Sequence, residues 1–150
     1  MPFVIVAGTP GFLPVRMTKN GTQPMPEAWG QITNWIADTG GYPGSVVVGT
    51  NNEGLKALGD KKSASVAASI PFTGATNGFG GNTKLQARLR VNSTIVATTD
   101  PPLDGPSGTL SVSATVDIAA GDVVTVEALS SYAAGGAAGT IAAGGYVRIQ

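Results

Sequence analysis

The sequence predicts an all-β, antiparallel sandwich or barrel, and three observations carry that expectation. Twenty-two Gly and ten Pro among 150 residues punctuate the chain too often for long helices. Between those breaks, apolar residues alternate with small polar ones, the period of a strand with one buried face. About eight such stretches at hairpin spacing are the pattern of packed antiparallel sheets.

The elements follow in order. Residues 1–27 hold Pro2, Pro10, Pro14, Pro24 and Pro26 together with the turn residues Lys19-Asn20-Gly21, and they read as an extended arm. Within the arm, residues 3–6 form a short strand that docks on a neighbour. The folded domain is then expected over residues 28–150. In residues 28–36, Trp29, Ile32 and Ile36 fit a helical stripe, but Gly30 and the β-rich surroundings favour one or two strands with a bend. Residues 45–48 form a short strand between the turns Pro43-Gly44 and Asn51-Asn52, and residues 55–58 lead to the polar turn Gly59-Asp60-Lys61-Lys62.

Residues 65–72 place Val66, Ala68, Ile70 and Phe72 on one face and small residues on the other. Residues 73–83 are a loop whose one large apolar residue is Phe79. Residues 85–91 and 95–98 form a hairpin about Asn92-Ser93-Thr94. After a proline-rich loop at 100–106 comes the clearest alternation, Leu110, Val112, Ala114, Val116 and Ile118 against Ser111, Ser113, Thr115 and Asp117. The turn Ala119-Ala120-Gly121-Asp122 leads into residues 123–129. A low-complexity Ala/Gly link then precedes a last strand at 146–149.

Composition excludes several chemistries. The chain has no His and no Cys, so Ser/His/Asp and Cys/His triads, zinc sites built on those ligands, and disulfides are all ruled out. Nine Lys+Arg balance nine Asp+Glu and are scattered, which argues against nucleic acid as a partner. The apolar run at the N-terminus is broken by Gly8 and Pro10 and has no basic leader, so it does not read as a secretory signal, and no segment is long enough to insert in a membrane as a helix.

No catalytic residue, metal ligand or cofactor site is assigned. Asp117 with Asp122, and Asp100 with Asp104, are carboxylate pairs of the kind used in acid–base chemistry, yet each sits where Asp forms a turn or faces solvent. Asn51-Asn52-Glu53 lacks the spacing of a calcium loop, and the Gly-rich run 78–84 lacks the order of a phosphate-binding loop. The sequon at Asn92 is read as a hairpin turn. Binding is better supported, because aromatic side chains on loops can stack on sugars or fill a partner's pocket. Tyr42, Phe79 and Tyr132 are the candidate contact residues, and Trp29 and Trp35 are assigned to the core or to a subunit interface.

Residues 114–128, ATVDIAAGDVVTVEA, and the closing Gly145-Tyr146-Val147-Arg148-Ile149 resemble paired strands of C1q/TNF-like jelly rolls. The run WGQITNWIADTGGYPGS at 29–45, followed by SASVAASIPF and KLQARLRVNSTIVATT, resembles small minor tail proteins of tailed phages that infect actinobacteria. The jelly-roll resemblance implies a homotrimer about a threefold axis, and the likeness to tail proteins, which covers residues 28–150 and not the proline-rich arm, implies a jelly-roll virion protein of minor tail type. Its implied partners are other virion proteins and a glycan or protein of the host envelope. A capsid decoration protein is the alternative. Removing residues 2–26 is expected to spare the fold and release the protein from its particle.

Overall fold

A computed structural model describes residues 11–150, and the strand expected at residues 3–6 lies outside the described residues. The first strands are β1 (Val15–Lys19), β2 (Gln23–Pro24), β3 (Gly30–Gln31), β4 (Trp35–Ala37), β5 (Val46–Val48) and β6 (Gly54–Lys56). Next come β7 (Lys61–Thr73), β8 (Lys84–Val91), β9 (Thr94–Thr98), β10 (Leu103–Asp104), β11 (Ser107–Ile118) and β12 (Val123–Ser131). The chain ends with β13 (Thr140–Ile141) and β14 (Tyr146–Ile149). No helix occurs among the described residues.

The strands form two antiparallel sheets. In the first, β7 lies between β11 on one side and β13 and β14 on the other, and the sheet continues through β1 to β4, with β2 beside β13. In the second, β8 pairs with β12, β9 and β10, and β12 continues to β3, β6 and β5. The chain passes from β7 in one sheet to β8 in the other, back to β11, across to β12 and back to β14, which is the winding of a jelly roll. Alternation supplies the core between the sheets. Val66, Ile70 and Phe72 of β7 and Val147 and Ile149 of β14 share one buried cluster with Leu85 and Leu89 of β8 and Val124 and Val126 of β12.

Residues 28–36 are two short strands with a bend, as expected: Ile32 donates its N–H to Val126 O at 2.9 Å between them, and Asn34 turns the chain with φ 57°. The low-complexity link differs from expectation in hiding β13, whose Ile141 is fully buried. At Gly136, Gly139 and Gly145 of the link, backbones meet too closely for a side chain. At Gly139, φ is +87° and a Cβ would stand 2.9 Å from both Thr73 O and Ala75 N.

The arm assigned to residues 1–27 needs correction over residues 15–25, which are part of the sandwich. β1 pairs with β14 through Val15↔Ile149 and Met17↔Val147 and with β4 through Met17↔Ala37. Val15 and Met17 are fully buried, and Met25 is buried too. Proline density misleads here because the prolines sit where a lost N–H costs nothing in the ladder. Pro14 lies between the isolated Leu13–Leu58 bridge and the first residue of β1, and Pro24 lies in β2 at the sheet's edge. The alternation Val15, Met17, Lys19 also ends on a charged residue that is buried. Burial pushes the Lys19 ammonium pKa down, and its Nζ donates to Asn20 O at 3.0 Å.

Deleting residues 2–26 is therefore expected to unfold the protein, not merely to detach it. Val15 and Met17 alone contribute about 3–6 kcal/mol of burial, comparable with the ~5–15 kcal/mol stability of a domain. Circular dichroism of the truncated chain should lose the cooperative thermal transition, and a retained native transition would refute the role of β1. Gly139→Ala is expected to lower unfolding free energy by about 1–3 kcal/mol in urea titration, from the positive φ and the close backbone.

Candidate functional site

Two loops lie side by side at the end of the sandwich beyond Thr73. Thr76 and Ala137 exchange backbone hydrogen bonds at 3.1 and 3.0 Å, and Phe79 donates its N–H to Ala134 O at 2.9 Å. The Asn77 side chain accepts from Thr83 N at 2.8 Å, and the Thr83 hydroxyl donates to Thr76 O. The two backbones approach so closely at Gly78 that any Cβ there would run into the Ala133 carbonyl. On this tied-down frame Phe79 is 89% exposed, with an edge of its ring against Gly135. Exposing a phenyl ring on a fixed loop forgoes about 1.5–3 kcal/mol of possible burial, so it stands out from ordinary loop chemistry.

Tyr132 begins the second loop and is half-buried. It borders a recess of about 360 Å³ with Glu27, Ser130 and Ser131. The Glu27 carboxylate beside its hydroxyl favours the protonated, hydrogen-bonding phenol and pushes that pKa up. Phe79 and Tyr132 thus share one end of the molecule. Tyr42 does not join them. Its hydroxyl accepts a hydrogen bond from Gln150 Nε2 at 3.4 Å, and Gln150 is bonded to Ser65 at the other end of β7. There Tyr42, Leu13, Pro14, Pro43 and Gln150 line a recess of about 380 Å³.

The tryptophans separate in role. Trp35 is 1% exposed and its indole N–H donates to Ile32 O at 2.8 Å, so it is a core residue with its polar atom satisfied. Trp29 is half-buried on the outside of the second sheet, with the Arg88 guanidinium 4.3 Å from its ring.

The carboxylates hold the scaffold together. Asp117 pairs with Lys62 Nζ at 2.7 Å and accepts from Ser63 N at 2.9 Å, at the bulge where β11 changes register on β7. Asp122 closes its turn by accepting from Ala119 N at 2.9 Å and from Asn92 Nδ2 at 3.0 Å, while Asn92 Oδ1 accepts from Val123 N. Glu53 accepts from Asn51 N at 2.9 Å within its own turn, and Asp104 accepts from Asn82 at 3.5 Å. Among the described residues, no group of three or more His, Cys, Asp or Glu could hold a metal ion.

Sequence reasoning missed the charged groups that pair across strands. Glu127 faces Arg88 in the β12–β8 register and takes hydrogen bonds from Arg88 Nε and, at 3.0 Å, from Arg90 Nε. Arg16 faces Arg148 in the β1–β14 register. Neither grouping has a local sequence signal beyond charged residues on the polar side of alternating strands.

Burial penalises the Glu127 carboxylate, but the hydrogen bonds and charges of Arg88 and Arg90 outweigh that penalty and hold its pKa below the usual range. A lowered folded pKa gives stability that is present above the unfolded value, about 4.3, and is lost as pH falls through the folded one. Glu127→Gln is expected to cost about 2 kcal/mol at pH 7, since it leaves two largely buried guanidiniums without a counter-charge. Denaturant titrations should show the gap narrowing below about pH 4, where the parent loses its pair as well. A gap independent of pH would refute the assignment.

No protein-family model matches the chain, and no curated protein matches its sequence. Solved structures do match. One is the Eiger TNF from S. frugiperda, with a TM-score of 0.60 at 14% identity over 93% of this chain and 92% of that one. Another is the Stig cyclase Fisc from Fischerella sp. TAU in complex with an indole ligand, with a TM-score of 0.42 at 10% identity over 89% of this chain and 75% of that one, too distant to carry an argument. Likeness at 14% identity speaks to the fold, and with the two sheets and their winding it gives this chain a C1q/TNF-like jelly roll.

Proposed function

We propose that the chain is a non-enzymatic assembly and contact module of a phage virion, of minor tail type, working as a homotrimer. One observation carries the contact role: Phe79 stands 89% exposed on a loop whose backbone is fixed to its neighbour. A rigid aromatic of this kind can fill a partner's pocket without a large ordering cost. Tyr132 on the same end and the small residues around it, Ala133 and Ala134, leave the ring unobstructed.

Support for self-association comes from the outer face of the two longest strands. Ser65, Ala67 and Ser69 of β7 lie opposite Thr115, Ser113 and Ser111 of β11, so these two strands offer small, uncharged residues to a second copy, with Arg148 bordering them beside Ala67. The threefold arrangement rests on the jelly-roll resemblance. Three weak sites on one rigid body gain avidity of about 10²–10⁴ over one. The tail assignment rests on the likeness of residues 29–45 and the strands after them to minor tail proteins.

The test has two parts. Light scattering of the purified chain is expected to give three times the 15.0 kDa chain mass, and gold-tagged antibody on virions is expected at the tail. Label spread over the head would make the protein a capsid decoration protein. Phe79→Ala should keep the thermal transition while weakening binding of the purified protein to host envelope by at least about tenfold. Unchanged binding would remove Phe79 from the contact surface.

A further inference from the structure

We propose that Arg16 and Arg148 form a binding site for an oxyanion, a phosphate or carboxylate group, on the outer face of the first sheet. The two residues are direct cross-strand partners in the β1–β14 ladder, so both side chains leave the same face. Like charges directly opposite each other are destabilising, and long side chains on an open surface relieve that by swinging apart. These two do not. Both guanidiniums stand over the ring of Tyr146, at 4.5 Å for Arg16 and 5.5 Å for Arg148.

Their charge is not balanced within the chain. Asp38 Oδ2 lies 3.7 Å from Arg16 Nε, and Arg148 has no carboxylate partner among the described residues. Residues 1–10 contain no Asp or Glu that could supply one. The Nε atoms of both arginines are buried without a hydrogen-bond partner among the described residues. The cluster therefore holds two fixed positive charges against one negative charge. An arginine fork presents five N–H donors suited to bidentate contact with planar carboxylate or with phosphate, and two forks on one ring can share a single oxyanion.

The surroundings suit such a ligand. Arg148 faces Ala67 and Tyr146 faces Ser69 on β7, so the next strand brings small, uncharged groups and no competing carboxylate. On the other side, the Tyr42 ring is 5.9 Å from the Arg16 guanidinium and opens onto the recess it shares with Pro14 and Gln150, which leaves room for the body of a ligand larger than an ion. This site is separate from the Phe79 end and does not depend on the tail assignment.

Calorimetric titration of the full chain with inorganic phosphate and with glucuronate, at constant ionic strength, tests the proposal. The expected result is saturable binding of at least one of them, weakened about tenfold or more by Arg148→Gln and unaffected by Lys62→Gln, which removes an exposed charge elsewhere. Phosphate binding identifies a phosphoryl or free oxyanion, whereas glucuronate binding alone identifies a carboxylate-bearing sugar. Should Arg148→Gln fail to fold, Arg148→Lys keeps the charge but loses the fork, and the same tenfold weakening is expected. Absence of heat with both probes, or equal binding by parent and variant, would overturn the proposal. A smaller assembly mass for Arg148→Gln without binding of either probe would also overturn it, by assigning the place to a carboxylate of a second copy.

Discussion

Strand β7 sets the terms for the rest of the molecule. Its thirteen residues pair with β11 along nearly their whole length and, on the other edge, with β14 and β13. Ala64, Val66, Ala68, Ile70 and Phe72 all turn inward, so one strand lines the core from end to end. A shift of one residue would move that entire row to solvent, which makes the register costly to change. The first and last described strands depend on it in turn, because β14 is held on β7 and β1 on β14.

The same strand separates the Phe79 end of the molecule from the Tyr42 end. Its C-terminal end delivers the loop that carries Phe79, and its N-terminal end reaches Gln150, against which Tyr42 rests. Rigidity at the Phe79 end comes from close backbone contact between the two loops, at Gly78 and Gly136, and from the Asn77 and Thr83 side chains that tie down the first of them. Small residues are thus required where the backbones meet, at Gly78, Gly136, Gly139 and Gly145, since a side chain there would push the segments apart.

Electrostatics are arranged with few charges, and most have a partner. Asp117 takes Lys62, Glu127 takes Arg88 and Arg90, and Asp122 and Glu53 close turns. Against that background, a pair of arginines that share one tyrosine ring, with a carboxylate beside Arg16 alone, is an imbalance in a chain whose formal charge sums to zero. The neutral Ser/Ala face of β7 and β11 lies next to it, so packing and anion recognition would use adjoining parts of one sheet.

The all-β class, the hairpin at residues 85–98, the alternation of β7 and β11 and the exposed place of Phe79 were all legible in the sequence, because side-chain period and turn residues are local properties. Trp35 as a core residue was legible as one of two assignments. What the tertiary structure decided depends on partners distant in sequence. β1 could not be told from a proline-rich arm until β14, more than a hundred residues away, supplied its ladder. Tyr42 was parted from Phe79 by the length of β7, and Arg16 met Arg148 through cross-strand register. Local pattern fixes which face of a strand is buried, but only pairing decides which strands and which charges become neighbours.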